Sequence, residues 1–310
     1  MSLKQELLHD LAAAGVPPLH RFGQNFMIDA SALEAMLGAL GDLAGSRVLE
    51  VGPGTGLLTR RLLERGAQVL AVEIDRGLHA HLARTLALSS PALELILGDC
   101  LASKSRLHPA IEAFAQTPWS LGSNLPYEVS LPVILNAVAL PLPPTRLVVT
   151  VQFEAAQRLC SRPGQEAWGG SAAVLQAAGV AKLLRRLVPG SFYPAPRVDS
   201  AILSWSPRAV LPAGFGAWMR RLFSSRRKVL PGALRDAGMT RPAAEEACRG
   251  AGLDSMRRVE QLDAPELLAL FLACQALLVA SPMDASASAP ASAALRSPSP
   301  LDRIDDRPAT

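Results

Sequence analysis

Val48-Leu49-Glu50-Val51-Gly52-Pro53-Gly54-Thr55-Gly56-Leu57-Leu58-Thr59 is the stretch on which the reading of this chain turns. Arg47 to Val51 is a short apolar run with β-branched residues, Gly52 to Gly56 break it, and Leu57, Leu58 and Leu62 resume at helical spacing. The pattern predicts strand, glycine turn, helix. Such a turn lets backbone approach a ligand where a Cβ would block it, and it aims free helix N–H groups into the gap at a sheet's carboxyl edge.

Glycine spacing separates the two ligand classes that use this geometry. A dinucleotide fingerprint is Gly-x-Gly-x-x-Gly, with a pyrophosphate on the helix N-terminus. Here the glycines are Gly52, Gly54 and Gly56, Leu57 stands where the third fingerprint glycine would be, and Glu50 precedes the first glycine by two. This pattern resembles motif I of class I methyltransferases, whose ligand is S-adenosylmethionine.

Strands recur downstream. Gln68 to Ile74 is a second apolar run holding Glu73, with Asp75 just beyond it. An acid about twenty residues past the glycines, at a strand tip, is where nucleotide-binding α/β folds hold a ribose diol. Glu73 is assigned that place, and Asp75 is read as a helix-start residue. Leu93 to Leu97 is a third strand, and Asp99 after it is placed to accept from an adenine amino group. Trp119 to Gly122 and Leu147 to Val151 complete five strands. Their alternation with helical segments predicts an α/β fold, a Rossmann-like, doubly wound and mostly parallel sheet. Upstream, Leu3 to Ala14 reads as a short helix ended by Gly15, Pro17 and Pro18, and Ser31 to Leu40 as a helix after a polar-aromatic loop.

The fourth strand delivers Asn124-Leu125-Pro126-Tyr127. Methyl transfer to the exocyclic amine of adenine faces a nucleophile whose lone pair is delocalised into the ring. The Asn124 side-chain oxygen and the Leu125 backbone carbonyl, held by Pro126, would accept the amine's hydrogens, and Tyr127 offers a stacking face. The sulfonium leaving group is already cationic, so the chemistry is positioning and not proton abstraction by a strong base.

Composition sets the limits. The 310 residues, 49% hydrophobic, suffice for one large domain and a smaller one, and a net charge of +4 permits a polyanionic partner. The four cysteines, Cys100, Cys160, Cys248 and Cys274, lie far apart, which suggests neither a zinc site nor a disulfide framework. No metal is expected. Reduced thiols, the absence of a secretory pattern at the N-terminus, and a longest late apolar run, Leu267 to Val279, too short to span a bilayer imply a soluble, cytoplasmic protein without a membrane partner. His79 and His81 show no metal spacing and read as helix surface.

Phe22-Gly23-Gln24-Asn25-Phe26, Glu50 to Gly56, Asn124 to Tyr127, Pro163-Gly164, Phe192 to Ser200 and Phe223-Ser224-Ser225-Arg226-Arg227-Lys228 resemble, in order, the ribosomal RNA adenine dimethylase family, KsgA type. The resemblance covers about residues 20 to 272. It implies that Asn25, Met27, Gly52, Gly54, Glu73, Asp99 and Asn124 line an S-adenosylmethionine pocket, and that Phe192 stacks on the target base opposite Tyr127. It also implies the substrate: two adjacent adenines in the 3′-terminal stem-loop of 16S rRNA, in a small subunit late in its assembly. A monomer is what it suggests. Two segments depart from the family. Trp168-Gly169-Gly170-Ser171-Ala172 replaces its usual Tyr-Gly-x-Leu-Ser, and Pro231 and Gly232 interrupt the helix expected after Arg-Arg-Lys.

Between Arg220 and Arg258 ten Arg or Lys face four acids, interleaved with apolar residues at helical spacing. A helical module with one basic face is expected, with Arg220, Arg221, Arg226, Arg227 and Lys228 on RNA phosphates. The domain reading is an N-terminal extension over 1–20, a methyltransferase domain over 21–205, a helical RNA-contacting domain over 206–280 and a disordered tail over 281–310. The alternatives are an Erm-type 23S rRNA adenine methyltransferase, which shares nearly every motif, and a non-catalytic RNA-binding or assembly factor. A nicotinamide-dependent dehydrogenase lacks its third glycine.

Overall fold

The computed structural model describes residues 2–16 and 24–280. Pro17, Pro18, Phe22, Gly23 and the tail expected over 281–310 therefore lie outside the described residues. The chain opens with α1 (Leu3–Ala14), held by a Ser2/Gln5 capping box and ended by Gly15 at φ 64°. After β1 (Phe26–Met27), Asp29 caps α2 (Ala30–Leu40) through the Ala32 N–H. The organising stretch forms β2 (Arg47–Val51) and α3 (Leu57–Glu64), joined by the glycine turn. Then come β3 (Gln68–Glu73), α4 (Arg76–Leu82), β4 (Leu93–Leu97) and a small hairpin, β5 (Leu101–Ser103) with β6 (Arg106–Leu107). Asp75 caps α4 through the N–H groups of Gly77 and Leu78, the helix-start role read from sequence.

α5 (Pro109–Phe114) leads to β7 (Ser120–Asn124), α6 (Tyr127–Val138), β8 (Arg146–Gln152) and α7 (Phe153–Leu159). Strand β7 runs two residues further than Trp119 to Gly122 suggested, so Asn124 is its last residue and Tyr127 opens the next helix. α8 (Gly170–Ala178), β9 (Gly179–Leu187), β10 (Phe192–Tyr193) and β11 (Ser200–Pro207) finish the sheets. The remainder is helical: α9 (Phe215–Phe223), α10 (Leu230–Asp236), α11 (Arg241–Gly250) and α12 (Ala264–Ala280). Pro231 lies in the first turn of α10, where a missing N–H costs no helical bond, so it starts a helix instead of only interrupting one.

The main sheet has seven strands in the order β4-β3-β2-β7-β8-β11-β9. β4 through β8 pair in parallel, whereas β11 runs antiparallel to both β8 and β9. Parallel strands need helices on both faces, and the sequence supplies them. Leu147 to Val151 of β8 are five buried residues in succession, as a strand covered twice requires. Strand order reverses between β2 and β7. In open α/β sheets the ligand crevice lies at that reversal, outside the carboxyl ends of the strands.

The larger apolar cluster extends from Leu49 in β2 to Cys274 in α12 without a break, so the C-terminal helices share a core with the sheet. Trp168, in the segment that departs from the family pattern, is fully buried within it. α1 docks Leu7 and Leu11 against Leu78 of α4, and Arg60 of α3 bridges Glu6 and Asp10 at 2.7 and 3.1 Å. This docking corrects the surface reading of His81, which is only 1% exposed. Neither of its ring nitrogens has a hydrogen-bond partner among the described residues, and burial holds its pKa below the usual value. All four cysteines are free thiols, and no described helix is long and apolar enough to cross a membrane.

Candidate functional site

The cavity at the switch point has a volume of about 210 Å³. Its floor is the turn after β2, its walls are the ends of β3, β4 and β7, and its rim is the start of α6. Asn25, Gly52, Gly54, Glu73, Asp99, Asn124, Leu125 and Tyr127 all line it. Eight of the expected site residues, spread over 103 positions of chain, are thus brought to one place.

Two expected residues are placed otherwise. Met27 and Phe192 are partners across the antiparallel β1/β10 pair, 6% and 2% exposed, and both sit in the second apolar cluster. Met27 reaches only a smaller adjoining cavity of about 50 Å³, shared with Gly52, Gly54 and Asn124. Phe192 lines neither cavity. Phe192 therefore does not face Tyr127 across the cavity in this structure, because its ring is packed into the core, whereas Tyr127 lines the cavity.

The glycine turn owes its shape to three left-handed residues, with φ of 66° at Gly52, 63° at Gly54 and 88° at Gly56. A Cβ on Gly54 would stand 2.8 Å from the Phe26 ring, so the absence of a side chain there is also steric. The Glu73 carboxylate ties this turn to the end of β3. Its Oε2 accepts from the Gly54 N–H at 3.1 Å and its Oε1 from the Asp75 N–H at 2.8 Å. Burial raises its pKa to about 7, against the lowering effect of those hydrogen bonds. Asp99 is exposed at the end of β4 and takes the Leu101 N–H at 2.9 Å.

Asn124 is held on both sides. Its Nδ2 donates to the Asn25 carbonyl at 2.8 Å, and its Oδ1 accepts from the Thr150 hydroxyl. An amide oxygen has two lone pairs, so one remains for a ligand. The Tyr127 hydroxyl meets the Ser200 hydroxyl at 2.6 Å. Leu125 keeps its side chain in the core cluster, 2% exposed, at the cavity wall. Cys100 also lines the cavity, but burial pushes its thiol up to about 12, which removes it as a nucleophile near neutral pH. Thr150 lay in a strand and Ser200 in a motif read from the sequence, but their contacts with Asn124 and Tyr127 were not read. Only their place beside the Asn-Leu-Pro-Tyr segment in the folded sheet marks them.

The basic run of the C-terminal module divides. Arg220, Arg221 and Arg227 are exposed and make no ion pair among the described residues. Arg226, its side chain 41% exposed, donates to the Trp168 carbonyl at 2.9 Å with Glu260 at 3.8 Å, and Lys228 pairs with Asp236 at 2.8 Å. These two of the five expected phosphate contacts thus carry partners within the chain, whereas the other three carry no ion pair among the described residues.

A glycine turn at the switch point, acids ending β3 and β4, and an Asn-Leu-Pro-Tyr segment ending β7 define a class I methyltransferase. Solved structures agree on the fold: a dimethyladenosine transferase from Plasmodium falciparum matches 80% of this chain and 96% of its own with a TM-score of 0.64 at 21% identity. The 23S rRNA methyltransferase ErmE matches 81% of this chain and 100% of its own with a TM-score of 0.59 at 24% identity. The chain belongs to the ribosomal RNA adenine dimethylase family, whose profile matches residues 19–275. Relatives named ribosomal RNA small subunit methyltransferase A include one from Synechococcus sp. (strain JA-2-3B'a(2-13)), 37% identical over 82% of this chain and 91% of its own length. Another, from Opitutus terrae, is 37% identical over 81% of this chain and 91% of its own.

Proposed function

We propose that this protein dimethylates the exocyclic amines of two adjacent adenines in the 3′-terminal stem-loop of 16S rRNA, with S-adenosylmethionine as donor. The observation that carries the reading is the convergence of Asn124, Leu125 and Tyr127 with Glu73 and Asp99 on one cavity.

The residues present fit the cofactor. Glu73 offers a carboxylate to vicinal hydroxyls, Asp99 an acceptor to an adenine amine, and the turn at Gly52 and Gly54 leaves backbone uncovered. S-adenosylmethionine, when bound, supplies an electrophilic methyl on a cationic sulfur. This chain's own part is orientation. The free lone pair of Asn124 Oδ1 and the Leu125 carbonyl accept the two amine hydrogens of the target base, which localises the nitrogen lone pair toward the methyl. Tyr127 holds the ring plane by stacking. No strong base is needed, and the proton leaves after the new N–C bond has made the nitrogen acidic.

Residues 206–280 are proposed as the RNA-contacting module, with Arg220, Arg221 and Arg227 as its phosphate contacts, and the protein is proposed to work in the cytoplasm as a monomer. An Erm-type reading rests on a likeness of 24% identity, which carries the fold alone.

The test is methyl transfer from labelled S-adenosylmethionine to unmethylated 30S and 50S particles, with Asn124→Ala as control. Label in dimethyladenosine of the 30S RNA, lost in the control, supports the reading. Label confined to 50S RNA, or none in either, overturns it.

A further inference from the structure

Asn124 ends β7, and the residue beside it in register on β8 is Thr150. Thr150 is fully buried, in a run whose other members, Leu147, Val148, Val149 and Val151, are apolar. A hydroxyl there has no packing advantage over the methyl of valine, and it needs a hydrogen-bond partner. Its partner is the Asn124 side chain.

The polarity of that amide follows from its surroundings. The Asn25 carbonyl can only accept, so the nitrogen of Asn124 must face it, at 2.8 Å. The oxygen is then the end that meets Thr150, whose hydroxyl donates to it. Turning the amide over would set oxygen against oxygen at Asn25. Asn25 thus selects which end points where, and Thr150 holds the plane of the amide about its last torsion, which is otherwise broad. The plane of the amide sets the direction of its remaining lone pair.

We infer that Thr150 is a positioning residue, which aims the free Oδ1 lone pair of Asn124 at the amine of the target base. It touches neither substrate nor cofactor. This inference rests on the adenine-amine reading of the site, so its test contains a readout that needs no turnover.

Thr150→Val keeps shape and β-branching and removes the hydroxyl, and Thr150→Ser keeps the hydroxyl and removes a methyl. The expected result on 30S particles is a kcat lowered roughly 30-fold in Thr150→Val, with KM for either substrate within about threefold of wild type. Thr150→Ser is expected within a few-fold of wild type in both. Independently of activity, the side-chain NH₂ resonances of Asn124, assigned by their loss in Asn124→Ala, should move in Thr150→Val and stay in Thr150→Ser.

Wild-type kcat in Thr150→Val, or equal losses in both variants, would each overturn the inference. So would a Thr150→Val chain that melts far below wild type while Thr150→Ser does not, since the hydroxyl would then serve core stability. A wild-type protein inactive on both particles would overturn the functional reading, and unmoved amide resonances would overturn the role of Thr150.

Discussion

The Gly54 backbone N–H donates to the Glu73 carboxylate at 3.1 Å, so the floor of the cavity and the residue expected to hold a ribose are one hydrogen-bonded unit. Burial raises the Glu73 pKa to about 7. Its ionised form is the better acceptor for a diol, so affinity for S-adenosylhomocysteine should increase as pH rises through 7 and level off above 8. Glu73→Gln should weaken binding by roughly 30-fold at pH 8, about 2 kcal/mol, and flatten the pH profile. Titration calorimetry at pH 6, 7 and 8 measures both.

Gly54→Ala meets two obstacles at once: a Cβ 2.8 Å from the Phe26 ring and a φ of 63°. The expected cost is about 1–3 kcal/mol in stability, together with a larger loss of cofactor affinity as Phe26 moves into the cavity it lines. Chemical unfolding and ligand-induced thermal shift separate the two. A variant as stable as wild type with unaltered affinity would contradict the geometry.

Glu50 is 2% exposed and receives the Thr59 hydroxyl at 2.6 Å. Burial, with the Glu73 charge adding to it, raises its pKa to about 8 from an ordinary value of 4.5. Between those values the folded state keeps a proton that the unfolded state releases. Its contribution is therefore present in full below 4.5 and lost as pH rises through 8, at up to about 1.4 kcal/mol per pH unit. Glu50→Gln removes that loss. The stability difference between this variant and wild type should grow from pH 6 to pH 8 in denaturant titrations, and a constant difference would refute the proton-bearing Glu50.

Arg226→Ala should destabilise the fold by about 1–3 kcal/mol, because it leaves the Trp168 carbonyl without its 2.9 Å donor. Replacing Arg220, Arg221 and Arg227 together should leave the melting temperature nearly unchanged. It should weaken RNA binding and reduce the slope of log K against log salt by roughly 2–3. Filter binding over a salt series, beside thermal melts, distinguishes the two kinds of arginine. If Arg226→Ala alone lowered RNA affinity with stability intact, the division would fail.

Local pattern was enough for the parallel strands. Leu93–Leu97 and β2 are seen as read and β3 within a residue, because each is a short, mostly apolar run whose limits are set by its own residues, even though Leu93–Leu97 is a half-exposed edge strand. Asp75 as a cap was legible for the same reason, since a cap acts within three residues. What failed depends on distant neighbours. His81 looks like a surface residue until α1 is known to lie over α4. Met27 and Phe192, 165 positions apart, bury one another's surroundings through a two-residue ladder that neither segment announces. Arg226 and Lys228 cannot be told from Arg227 by composition, because only the folded chain brings the Trp168 carbonyl to Arg226 and Asp236, eight residues on, to Lys228. Strand β9 went unread since Gly-Val-Ala-Lys-Leu-Leu-Arg-Arg-Leu, a half-exposed sheet edge, shows neither a continuous apolar run nor a strict alternation, and β11, which pairs with it, went unread too.

Strand β11 runs against β8, so it begins where β8 ends, with Ser200 beside Gln152 and its hydroxyl on Tyr127. The order of synthesis acquires a meaning from this reversal. Glycine turn, acids and Asn124 have all left the ribosome before the residue that anchors Tyr127 is made, and Phe26 waits equally long for its ladder partner Tyr193. A nascent chain stopped at residue 190 carries the glycine turn, both acids and the Asn-Leu-Pro-Tyr segment and yet lacks a finished rim. The rim of the pocket is thus closed by residues made well after those that form its floor and walls.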